Sequence, residues 1–189
     1  MKKVGLLGGT FDPPHYGHLM IAEEVFQALK LDEVWFIPSY EPPHKEKSNT
    51  SAEDRVSMLS EAIADNDHFF LNKIEVERLG KSYTVDTIKI LQETSPDTIF
   101  YFIIGADMVE YLPNWYKINE LIEIIQFVGV KRSNYKLNTS YPIIEVDIPE
   151  FEVSSTMIRN RLREGKSIRY LVPEQVYKVI RERHLYGSK

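Results

Sequence analysis

Hydrophobic residues along this chain follow two rhythms. Short unbroken runs, Val4-Gly5-Leu6-Leu7, Val34-Trp35-Phe36-Ile37 and Ile99-Phe100-Tyr101-Phe102-Ile103-Ile104, alternate with stretches where apolar side chains return every three or four positions. The runs fit strands covered on both faces, as in a parallel sheet, and the second rhythm fits amphipathic helices. After the first run, Ala22, Val25, Phe26 and Leu29 recur among Glu23, Glu24, Gln27 and Lys30, which predicts a helix from about Gly17. The second run, stopped by Pro38, completes a strand–helix–strand unit. Ser51 with Asp54 starts a helix that Val56, Met58, Leu59 and Ile63 carry to about Ala64. A strand near Phe69-Phe70-Leu71 and an alternating stretch Ile74-Glu75-Val76-Glu77 follow, then a helix from Thr84 to Gln92. The run 99–104 is the most hydrophobic segment and reads as a central strand whose carboxyl end opens on a site at Gly105-Ala106-Asp107. Further strands are expected at Ile124–Val130 and Ile143–Val146, one helix from Ser154-Ser155-Thr156, and a last one from Pro173-Glu174 to about His184. Alternating β and α elements predict an α/β class, a doubly wound parallel sheet with helices on both faces. A single domain over residues 1–189 is expected, with a small helical part from about residue 154.

Composition narrows the function more than the fold. At 189 residues and 43% hydrophobic content the chain can bury one core. No run reaches the roughly 18 apolar residues of a membrane span, and the opening Met1–Gly9 is too short for a signal peptide, so a soluble, cytoplasmic protein without a membrane partner is expected. The absence of cysteine excludes disulfides, thiolate zinc sites and cysteine nucleophiles. A net charge of −5 argues against general nucleic-acid binding, so any anion site must be local.

Candidate chemistry concentrates at two places. The stretch GGTFDPPHYGH, Gly8 to His18, joins the first strand to the first helix and matches neither the dinucleotide-binding glycine spacing nor a P-loop. Gly8 and Gly9 permit close backbone approach, and a strand-to-helix junction points free N–H groups at an anion; a tight turn without ligand is the plain alternative. His15 and His18, three apart at a helix start, fall on one side of it. Such a pair fits a metal site, with Asp12 the nearest further ligand, or a phosphate clamp built from imidazole N–H donors, or a structural pair satisfied by the backbone. At the far end, Ser154-Ser155-Thr156-Met157-Ile158-Arg159 offers hydroxyls at a helix cap, with Arg159 four positions after Ser155 and on the same face. Alone, that segment reads as a capped helix with a solvated basic face.

Together these residues resemble a family. GGTFDPPHYGH looks like the (T/H)xGH nucleotidyltransferase signature, and SSTMIR looks like the second motif of that superfamily, with Val153 where isoleucine usually stands. Pro42-Pro43-His44-Lys45, Ser82-Tyr83-Thr84-Val85-Asp86-Thr87, Gly105-Ala106-Asp107 and Asn114-Trp115-Tyr116 complete a pattern that resembles the bacterial nicotinate-nucleotide adenylyltransferases over essentially the whole chain. The resemblance implies a Rossmann-like nucleotidyltransferase fold, ATP and nicotinate mononucleotide as partners, and deamido-NAD and pyrophosphate as products. It implies that His15, His18 and Arg159 are catalytic. Gly8, Gly9, Thr10, Phe11, Gly105, Asp107, Arg132, Ser155 and Thr156 would bind ATP, and Ser39, His44, Lys45, Thr84, Trp115 and Tyr116 the pyridine nucleotide. Trp115 would stack on the ring, and amides near Thr84 and Tyr116 would receive its carboxylate; such amides donate and cannot accept, which favours the acid over the amide. In-line attack between two phosphates calls for Mg²⁺ held mainly by the ATP phosphates, with no protein metal ligand. A homodimer is the implied assembly. Nicotinamide mononucleotide or another phosphate-bearing acceptor, and a nucleotide-binding regulator without turnover, are the alternatives; a dehydrogenase is disfavoured by the glycine spacing.

Overall fold

The structure is a computed structural model that describes residues 1–43, 48, 50–132 and 136–188. Six strands, β1 (Lys2–Gly9), β2 (Glu33–Pro38), β3 (Phe69–Leu71), β4 (Thr98–Gly105), β5 (Gln126–Arg132) and β6 (Ile143–Ile148), form one sheet in the order β3-β2-β1-β4-β5-β6. Every pairing is parallel. The helices are α1 (Tyr16–Leu29), α2 (Ala52–Ile63), α3 (Ile74–Arg78), α4 (Thr84–Thr94), α5 (Ala106–Tyr111), α6 (Ile118–Ile124), α7 (Ser155–Arg163) and α8 (Glu174–Glu182). This is the doubly wound α/β architecture expected from the alternation of elements.

The apolar runs are continuous because both sheet faces are covered. Leu7, Ile103, Val128 and Val130 belong to one core with Ala22 and Val25 of α1, Met58 and Leu59 of α2, Ile158 of α7 and Val176 and Ile180 of α8. Their strand neighbours Val4, Leu6, Phe100, Phe102, Ile104 and Phe127 face the other core, with Val85 and Ile88 of α4 and Leu121 of α6. Each such side chain removed from water stabilises the fold by roughly 1.5–3 kcal/mol before the entropy of ordering is set against it.

Four local features differ from what the sequence pattern predicts. The alternating stretch 74–77 is not extended but forms the short helix α3, where Thr87 Oγ1 donates at 2.7 Å to the buried Glu75. Ile124 ends α6 and Ile125 is its C-cap, so β5 starts only at Gln126. Between β4 and β5 the chain makes α5, a 3-10 turn at Leu112–Asn114 and α6, elements too short to show a clear period in sequence. The last helix ends at Glu182, two residues before His184.

Candidate active site

Crossovers leave β1 and β4 toward opposite faces of the sheet, so the carboxyl ends of these paired neighbours, Gly8-Gly9 and Ile104-Gly105, flank a crevice at the point where the strand order reverses. From β1 the chain enters a tight turn. Phe11 adopts φ 51° while only 1% exposed, and the Asp12–Pro13 peptide is cis. A buried aromatic in the left-handed region is uncommon and is held here by packing: its ring lies edge-on to His18 at 5.0 Å and 5.9 Å from Phe36. A Cβ on Gly9 would stand 3.1 Å from the Phe11 ring. Gly9 therefore makes room for the turn's own aromatic residue, a packing role that sequence reasoning did not supply.

His15 and His18 meet at the start of α1 with their rings stacked at 3.7 Å. The His15 N–H donates to His18 Nδ1 at 3.2 Å. A nitrogen that accepts carries no proton, so the His18 proton lies on Nε2. His15 is 6% exposed; burial lowers its pKa from 6.5 to about 4 and keeps the ring neutral at physiological pH. Its Nδ1 has no hydrogen-bond partner among the described residues, an uncommon state for a buried polar atom and one that favours an incoming polar ligand. Gly17 is required by the same arrangement, because a Cβ there would lie 2.9 Å from His15 Nδ1.

The second motif docks directly on this turn. Ser154 caps α7 by accepting from the Met157 N–H at 3.1 Å. The next residue, Ser155, donates its hydroxyl to the Pro13 carbonyl at 2.9 Å, and one turn further in the Arg159 guanidinium donates to the Asp12 carbonyl at 2.7 Å and to Thr156 Oγ1 at 3.3 Å. Arg159 carries five N–H donors, so these bonds leave part of its planar fork for an anion. The expected placement of Ser155 and Arg159 on one helix face holds, and that face is bonded to the turn that leads into His15.

The other end of the crevice is built from aromatic packing. Thr84 opens α4, so its N–H is among those without an intrahelical acceptor. The rings of Tyr83 and Tyr116 lie 4.6 Å apart, which brings the segment before α4 beside the segment after the 3-10 turn. Trp115 is half-buried, edge-on to Phe102 at 5.8 Å and to Phe127 at 5.9 Å. Gly105 precedes α5, and Asp107 is exposed in its first turn. Ser39 is 6% exposed, and both its N–H (2.9 Å) and its hydroxyl (3.3 Å) donate to the Gly9 carbonyl. It ties the end of β2 to the end of β1. His44 and Lys45 lie outside the described residues, as does the side chain of Arg132, whose backbone ends β5. Among the described residues no group of three His, Asp or Glu side chains could hold a metal ion.

Sequence reasoning missed three contributors. Arg55 is 2% exposed and donates to the Thr10 carbonyl at 2.7 Å, with burial pulling its pKa down. Its position in register with Met58, Leu59 and Ala62 on the buried face of α2 was the available signal. Asp12 is also buried, its carboxylate taken by the hydroxyls of Ser48 and Tyr186. Tyr186 lies past the last helix, where no periodicity marks it.

Comparison with known proteins bears on this geometry. A family model described as cytidylyltransferase-like matches residues 6–161, which include both motifs. A probable nicotinate-nucleotide adenylyltransferase of Geobacillus thermodenitrificans is 55% identical over 100% of this chain and 88% of its own length. The nicotinate-nucleotide adenylyltransferase of Bacillus subtilis is 52% identical over the full length of both. This chain belongs to the nicotinate-nucleotide adenylyltransferase family. The fold of that family is seen in the nicotinic acid mononucleotide adenylyltransferase of Plasmodium falciparum complexed with NaAD, which superposes with a TM-score of 0.84 at 22% identity and covers 100% of this chain and 99% of that one. As a family member the chain is a nucleotidyltransferase, and its two motif segments sit together at the switch point of the sheet.

Proposed function

We propose that this chain transfers the AMP moiety of ATP to nicotinate mononucleotide in NAD biosynthesis. An oxygen of the mononucleotide phosphate attacks the α-phosphorus of ATP, the bond from that phosphorus to the bridging oxygen of the β-phosphate breaks, and deamido-NAD and pyrophosphate are the products. The observation that carries this reading is the pair of bonds from Ser155 and Arg159 to the Pro13 and Asp12 carbonyls, which hold a guanidinium at the turn leading into two stacked imidazoles. No side-chain nucleophile is needed; phosphoryl transfer calls for positioning and charge stabilisation.

His15 and His18 contribute N–H donors to the transferring and departing phosphates, with the His18 proton on Nε2. Ser155, Thr156 and Arg159 bind the β- and γ-phosphates that leave, Gly8, Gly9, Thr10 and Phe11 floor the nucleotide pocket, and Gly105 and Asp107 with Arg132 lie toward the adenosine. ATP enters as its Mg²⁺ complex, in which the metal screens the repulsion between the two phosphates. At the other end Trp115 stacks on the pyridine ring, and amides near Thr84 and Tyr116 receive its carboxylate. His44 and Lys45 are assigned to the mononucleotide phosphate, and the assembly to a cytoplasmic homodimer.

The test is pyrophosphate release from the purified protein with ATP, Mg²⁺ and either nicotinate or nicotinamide mononucleotide. Release with the acid, faster than with the amide, is expected. No release with either contradicts the proposed reaction, and preference for the amide contradicts only the carboxylate assignment. Sedimentation of the same preparation reads the dimer.

A further inference from the structure

The turn that follows α8 holds His184, Tyr186 and Gly187 at φ 51°, 59° and 75°. The left-handed region costs a residue with a Cβ roughly 1–2 kcal/mol, so such a turn persists only where contacts hold it. Tyr186 supplies the contact. Its hydroxyl donates to Asp12 Oδ1 at 2.5 Å, and burial together with the Asp12 carboxylate pushes its pKa well above that of an ordinary phenol, keeping the donor proton in place. Asp12 Oδ2 accepts from Ser48 at 2.7 Å, and its main-chain carbonyl is the one that Arg159 grips. The residue two positions before Asp12 is fixed in turn, since Arg55 donates to the Thr10 carbonyl.

Resting on the adenylyl-transfer reading, we propose that Tyr186 is a positioning residue: its hydroxyl fixes the Asp12 side chain, and through the Asp12 main chain it sets where the Arg159 guanidinium stands. Tyr186 acts on Arg159 through the turn and not on substrate. A residue 174 positions from Asp12 thereby helps define the geometry of the phosphate end.

Tyr186→Phe keeps the ring and removes only the donor. It is expected to lower kcat about tenfold, the scale of a small misplacement of a positioned group, while the KM for nicotinate mononucleotide stays within about twofold. In an Arg159→Ala background the same change should cost less than about twofold more, because two residues on one path are not additive. Asp12→Ala, which removes the acceptor, should reproduce the kcat loss. Ser188→Ala removes a bond to the Ile180 carbonyl near the turn but leaves the Tyr186–Asp12 bond in place, and should leave kcat unchanged although the thermal midpoint falls. A wild-type kcat in Tyr186→Phe or Asp12→Ala, a full tenfold further loss in the Arg159→Ala background, or an equal loss in Ser188→Ala overturns the proposal. Failure of the underlying reaction is distinct, since the wild-type protein would then release no pyrophosphate in the same assay, and that outcome overturns both.

Discussion

The two ends of the crevice are built by different forces. At the end proposed for the phosphates, His15, His18, Ser155 and Arg159 are fixed by directional bonds: His15 N–H to His18 Nδ1, Ser155 to the Pro13 carbonyl and Arg159 to the Asp12 carbonyl. At the end proposed for the pyridine nucleotide, Tyr83 and Tyr116 are placed by contact with each other, and Trp115 by contacts with Phe102 and Phe127. Directional bonds hold donors where charge develops during transfer, which suits catalysis; packed rings offer a face to a flat ligand, which suits recognition. Changes at the first end should therefore appear in kcat or in ATP affinity, and changes at the second in the KM of the mononucleotide.

The largest expected effect comes from His18→Ala. Loss of one transition-state donor should lower kcat by about 10²-fold or more with the fold retained, read by steady-state pyrophosphate release and circular dichroism. A near-wild-type rate would reduce the histidine pair to a structural feature and erase the contrast between the ends. Trp115→Ala comes next. Stacking of an aromatic side chain on a base-like ring contributes about 1–3 kcal/mol, so the KM for nicotinate mononucleotide should rise about tenfold or more while that for ATP moves less than about twofold. Because the ring also packs on Phe102 and Phe127, the thermal midpoint should fall as well. Equal KM changes for both substrates would make Trp115 a core residue only.

Gly17→Ala probes the phosphate end without removing any donor. The added methyl stands 2.9 Å from His15 Nδ1, so the ring must shift, and kcat is expected to fall several-fold with both KM values little changed. The smallest effect is on stability against pH. His15 has a pKa of about 4 when folded and 6.5 when free of the fold, so the unfolded chain binds the extra proton between those values. The stability due to keeping His15 neutral is complete above about pH 6.5 and is lost as pH falls through about 4. His15→Gln should flatten that part of the curve of thermal midpoint against pH, and an unchanged slope would contradict the burial of a neutral ring.

The same contrast explains what could be read from sequence. The phosphate end was legible because its groups lie in two compact segments, each with a fixed offset from a helix start: His15 and His18 at α1, and Ser155 and Arg159 at α7. The strands were legible because sheets covered on both faces demand unbroken apolar runs. The short elements between β4 and β5 were not, since three to seven residues carry too little period to separate helix from strand. The two bonds of Ser39 to the Gly9 carbonyl are long-range and leave no mark in its sequence neighbourhood. Asp12 had no role in sequence for the same reason, because its partners Ser48, Arg159 and Tyr186 are remote. Arg55 is a buried charge whose helical register, with Met58, Leu59 and Ala62, could have revealed it.

Separate duties for the two ends are tested most directly by calorimetric titration of wild type and Arg159→Ala with ATP, in the presence of Mg²⁺, and with nicotinate mononucleotide. Loss of a hydrogen bond to a charged group is worth about 1.5–3 kcal/mol, so ATP affinity should fall about 10- to 100-fold, while mononucleotide affinity stays within about twofold. Equal weakening of both ligands, or of neither, would contradict a phosphate end that works independently of the pyridine end.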